Sequence, residues 1–131
     1  MKKATALILF LALAGCAHKH EPIYNPTDPM PAAAQTLSQD QLEHLIVEAG
    51  ETRGWRFQHL GPGHLLASQT QPKMSAVVDI TFDSKNWSIR YHGSEGLLAQ
   101  GGTIHGHYNF WIRNLEHSIE ARLDTAAVLV K

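Results

Sequence analysis

Two histidine pairs are spaced so that both rings could reach one ion: His18-Lys19-His20 and His105-Gly106-His107. Imidazole suits zinc, copper and nickel, and on extended backbone residues i and i+2 point to the same side. A specific zinc site needs three or four protein ligands. Neither pair finds a third donor in its own segment, so folding would have to bring His92, or an acid from Asp79 and Asp83, to His105 and His107. The chain has no HExxH motif and no pair of thiols. Its nine histidines are therefore expected to be solvated or hydrogen-bonded, and no metal and no cofactor is assigned. Metal binding through His105 and His107 is the alternative function.

Catalytic chemistry has less support. There is no GxSxG elbow to present a serine nucleophile, and GPGHLL (61–66) lacks the lysine and spacing of a phosphate loop. The expectation is that the protein is not an enzyme but binds through a surface. One candidate is a rim within YHGSEGLLAQGGTIHGHYNFW (91–111), which holds five of the ten glycines. Mobile backbone beside Tyr91, His105, His107, Tyr108 and Trp111 makes a plausible binding edge, although Tyr108 and Trp111 also fit a buried helical stripe. A second candidate is the wet face of a sheet, where Arg56, Asp79, Asp83, Arg90 and His92 could stand together.

The single cysteine, Cys16, excludes a disulfide within the chain. Ahead of it stand Lys2 and Lys3, an uncharged apolar run (4–14), and the small residues Ala14 and Gly15. A charged start, a short apolar run and a small-residue cleavage zone describe an export signal. The run is too short for a spanning helix, which needs about 20 apolar residues. LAGC (13–16) resembles the lipobox of bacterial lipoproteins. That resemblance implies cleavage before Cys16, a diacylglyceryl group on its thiol and acylation of the new amino terminus. Ala17, where an aspartate would resemble an inner-membrane retention signal, implies an outer-membrane anchor facing the periplasm in a diderm cell. Two or more acyl chains hold a protein stably, at about 0.8 kcal/mol per buried CH₂.

The implied organisation is a signal peptide (1–15), a lipidated Cys16 with a proline-rich tether (16–36) and one small globular domain (37–131). Four of the six prolines fall in the tether, at Pro22, Pro26, Pro29 and Pro31. A flexible stretch of this length reaches about 25 Å. Loss of Lys2 and Lys3 leaves nine basic residues against twelve acidic, a net charge of −3 with histidines neutral. No clustered basic patch appears, which argues against nucleic acid. The expected partners are the membrane, through the lipid, and an envelope protein.

The elements that must position these residues follow from periodicity. Ser38 and Gln41 resemble a capping box, and Leu42, Leu45, Ile46 and Ala49 repeat at helical spacing up to a stop at Gly54. Strand-like runs follow at 55–60, 64–70, 75–83 and 87–92. The third puts Ala76, Val78, Ile80 and Phe82 on one side, and the fourth does the same with Trp87, Ile89 and Tyr91. A last helix puts Tyr108, Trp111, Ile112, Leu115 and Ile119 on one face, and the apolar tail (125–131) is ambiguous. The expected fold is α+β in two layers: a four-stranded antiparallel meander with two helices on one face, in the order α-β-β-β-β-α. Trp55 after a helix, the Tyr91–Ser94 strand end and IHGHYNFWIRNL opening a helix resemble a group of small uncharacterised bacterial envelope lipoproteins. That resemblance covers about residues 38–123 and implies a compact α+β domain, with no activity to carry over.

Overall fold

The structure, a computed structural model, describes residues 19–129. Cys16, His18 and the export signal lie outside the described residues. Helix α1 (Gln39–Glu51) begins where its cap residues dictate. Ser38 Oγ accepts from the Gln41 N–H at 3.1 Å, and the Gln41 side chain accepts from the Ser38 N–H at 3.0 Å. Two of the helix's orphan donors are thereby satisfied reciprocally. Leu42, Leu45, Ile46 and Ala49 are buried, as their spacing predicts.

Strands β3 (Arg56–Gly61), β4 (His64–Thr70), β5 (Ser75–Phe82) and β6 (Asn86–Glu95) pair antiparallel in chain order. Alternation sets the two faces. Leu65 and Ala67 of β4, Ala76, Val78, Ile80 and Phe82 of β5, and Trp87 and Ile89 of β6 all point into one core. Between Val77 and Val78 the register shifts: Val77 faces Gly93 while Val78 faces Tyr91. The unmatched residue on β6 is His92, so a bulge falls there and re-aims its side chain.

Helix α2 (Gly106–Asp124) buries Tyr108, Trp111, Ile112, Leu115, Ile119 and Leu123. It packs beside α1, so the pair covers the inner face of the sheet. The ambiguous tail begins as a short helix, α3 (Ala126–Leu129), with Ala126 buried.

The N-terminal segment departs from expectation. Strand β2 (Thr27–Pro29) pairs with β6 as a fifth, edge strand, matching Thr27 to Ser88 and Pro29 to Asn86. Strand β1 (Glu21–Pro22) pairs with β7 (Thr103–Ile104) as a separate two-stranded sheet. A 3-10 turn (Ala32–Ala34) follows, and Met30 and Ala34 are fully buried. The meander is therefore part of a five-stranded sheet, and the domain starts near Glu21 instead of at 37. Proline is tolerated where only one edge of a strand is paired. The segment's apolar residues, Ile23, Tyr24, Met30 and Ala34, join the core.

Candidate functional site

The outer face of the sheet gathers a three-residue cluster around one carboxylate. Asp79, in the middle of β5, holds His64 from β4 and His92 from the β6 bulge. His64 Nε2 lies 2.7 Å from Asp79 Oδ1, and His92 Nδ1 lies 2.8 Å from Asp79 Oδ2. Each carboxylate oxygen thus has its own imidazole. Partial burial pushes the Asp79 carboxyl up, but the hydrogen bonds from His64 and His92 outweigh it and hold the group below the ordinary carboxylate range. The arrangement holds one ionised carboxylate between two imidazole rings.

The other sheet-face candidates take different work. Arg90 faces Asp79 across the β5–β6 pair, yet its guanidinium turns toward the N-terminal segment. Nη1 donates to the carbonyls of Asn25 (2.8 Å) and Pro26 (3.1 Å), and Nη2 donates to Thr27 Oγ1 at 2.5 Å. Arg90 is the clamp that fixes the approach to the edge strand β2. Asp83 sits in the β5–β6 turn, where its Oδ1 accepts from the N–H groups of Lys85 (2.7 Å) and Asn86 (2.8 Å). Those two bonds, from Asn86 and Lys85, hold its carboxyl below the usual range. Arg56 is exposed at the start of β3, in register with Ser68 and beyond it Val77. Of the five residues, only Asp79 and His92 meet. His64 lies outside the expected set; alternation along 64–70, which sets it opposite the buried Leu65 and Ala67, is the signal that could have found it.

The glycine-rich rim dissolves into core and cap. Tyr108 is fully buried, Trp111 is 9% exposed, and Tyr91 is half-buried with its ring edge-on to Tyr108 at 5.5 Å. The Tyr91 hydroxyl meets Ser94 Oγ at 2.8 Å. Tyr108 Oη has no hydrogen-bond partner among the described residues, and burial pushes its pKa up. His105 caps α2: its Nδ1 accepts the His107 N–H at 3.0 Å. The His107 ring stands edge-on to Trp111 at 5.0 Å. His92 is engaged with Asp79. No three His, Cys, Asp or Glu side chains among the described residues converge on a metal-sized site, so the trio imagined around His105 and His107 is not assembled.

A second polar cluster lies on the helix side and was not foreseen. Tyr24 Oη donates to Glu116 Oε1 at 2.8 Å, and Trp87 Nε1 donates to Glu120 Oε2 at 3.2 Å. The Arg113 guanidinium stands 4.8 Å from the centre of the Tyr24 ring. Tyr24, Arg113, Glu116 and Glu120, with Asp28 and His117, line a shallow groove. Burial and the neighbouring Asp28 push the Glu116 carboxyl up to about 7. Burial, then the bond to Glu116, pushes the Tyr24 phenol up to about 12.

Neither a protein-family model, nor a curated protein, nor a solved structure matches the chain. No helix among the described residues is long and apolar enough to cross a membrane.

Proposed function

We propose that the chain is a lipid-anchored envelope protein that works by contact. In this reading Cys16 carries the lipid, the anchor lies in the outer membrane and the domain faces the periplasm. The two helices cover one face of the sheet, and the other is a docking surface for an envelope protein. The observation that carries the reading is that outer face. It presents the His64–Asp79–His92 cluster beside the half-buried Leu66 and Val77 and the exposed Arg56. A polar cluster that is already oriented loses little side-chain freedom when a partner arrives.

The test is photo-crosslinking in the producing cells, with a photoreactive residue at Leu66 or Val77 and a control at Ala121 on the solvent side of α2. A discrete adduct from the two sheet positions, weakened by Asp79→Asn and absent from Ala121, supports the reading. Equal labelling from Ala121, or no adduct from either sheet position, overturns it.

A further inference from the structure

A lipid on Cys16 would hold one end of the molecule close to the bilayer. Only four residues separate Cys16 from Glu21, and the five steps between them span about 17 Å at full extension. Glu21 is not a loose end. It pairs with Ile104, and its carboxylate accepts from Asn109 Nδ2 at 3.1 Å. The β1–β7 pair and the start of α2 are therefore the part of the fold held nearest to any lipid on Cys16.

That end carries two exposed apolar side chains, Leu98 (54% exposed) and Phe110 (59%). They flank the α2 cap. Leu97, the neighbour of Leu98, accepts the His105 N–H at 2.9 Å, and the Phe110 ring lies 6.4 Å from that of His107. Phe110 stands four residues into α2, about 6 Å along its axis. Leu98 is also the one non-glycine residue with positive φ, at 57°, among the described residues. A leucine held in left-handed backbone and exposed to water is disfavoured twice over, by strain and by hydration. The exposed Lys19 and His20 lie between this end and Cys16, and a basic residue beside the bilayer suits anionic headgroups.

We propose that Leu98 and Phe110 form a membrane-contacting tip that seats this end of the domain on the bilayer carrying its own anchor. The inference rests on lipidation of Cys16. The occupant is lipid, because the covalent leash brings lipid to this end before any other surface. Seating the tip would hold the domain in one orientation and limit its tumbling at the end of the leash.

The test uses the full mature chain, purified from membranes and reconstituted in vesicles of phosphatidylethanolamine and phosphatidylglycerol. Spin labels are attached in the variants Leu98→Cys, Phe110→Cys and, at the exposed Leu60, Leu60→Cys. The mass of the N-terminal peptide is measured on each sample. The expected result is several-fold stronger relaxation by oxygen than by an aqueous nickel chelate at 98 and 110, and the reverse at 60. With Cys16 acylated, nickel access at 98 and 110 equal to that at 60 overturns the tip alone. Exclusion of both reagents also overturns it, because a protein and not lipid would then cover the tip. An unmodified Cys16 overturns the anchor and the tip together.

Discussion

Two carboxylates on opposite sides of the sheet are pushed in opposite directions. Asp79, on the open face, is held by two imidazoles and stays ionised below the ordinary carboxylate range. Glu116, on the helix side, is raised to about 7 by burial and by Asp28. The first has a hydrogen-bond partner for each oxygen. The second shares a groove with other acids and takes its bond from a phenol. The difference separates two jobs. In the proposed reading Asp79 shapes a charged surface for contact, whereas Glu116 belongs to the clasp that closes the N-terminal segment over α2.

The largest effect should come from breaking the turn beyond β6. Gly96 has φ +73°, and a Cβ there would collide with the Lys73 carbonyl oxygen. Gly96→Ala should cost about 3 kcal/mol or more, read as a lower midpoint in urea unfolding. A variant as stable as the parent would show that the 96–102 loop is not locked to the sheet.

Next is the clasp itself. Asn109 is 1% exposed. It donates to Glu21 and to the Pro22 carbonyl (2.9 Å), and its Oδ1 accepts the Tyr24 N–H at 3.0 Å. Asn109→Ala removes three part-buried hydrogen bonds that tie the N-terminal segment to α2 and should cost about 1–3 kcal/mol. Limited proteolysis should then cut between residues 21 and 30 well before the rest of the domain. Unchanged protection there would contradict a packed N-terminal segment.

The two acids should then part company with pH. Folded Glu116 keeps its proton to about 7, against an ordinary value of 4.5. The folded state therefore binds the extra proton between those values. Its contribution to stability is full below about 4.5 and is lost as pH rises through about 7. Thermal midpoints should fall across that window, and Glu116→Gln should flatten the slope. Asp79 has the opposite sign. Its depressed value stabilises the fold above the ordinary 3.8, and that contribution is lost as pH falls through the lowered value. A midpoint that stays flat from pH 4.5 to 8 would remove the contrast.

The smallest change in stability should follow Asp79→Asn. The His92 imidazole is exposed and that of His64 half-buried, and solvent-screened pairs of this kind contribute about 1 kcal/mol or less. Partner crosslinking from Leu66 should nonetheless drop. A large loss of stability would make the cluster a structural element instead of a contact surface.

Local signals in the sequence were reliable where the interaction is local. The Ser38–Gln41 capping box and the stripes of both helices stand as their spacing predicts, because each depends on residues three or four apart. The alternation over 75–82 likewise named every inward side chain of β5. What spacing did not reveal depends on distant partners. Prolines at 22, 26, 29 and 31 matched the composition of a free tether. The pairing of β2 with β6 and the burial of Met30 are settled by residues some sixty positions away. The same holds for the candidate sites. Asp79 and His92 could be placed on one face from alternation alone, but the bulge that turns His92 toward Asp79 is a property of the paired strands. Tyr24 and Glu116 meet across most of the chain's length, and nothing near either residue announces the other.

Lipidation of Cys16 is the claim on which both the anchor and the tip depend. The full chain, purified from the producing cell's envelope, should give an N-terminal peptide that begins at Cys16 and carries a diacylglyceryl group on sulfur and an acyl chain on the amine, read by mass. A chain that still begins at Met1, or an unmodified Cys16, would contradict it.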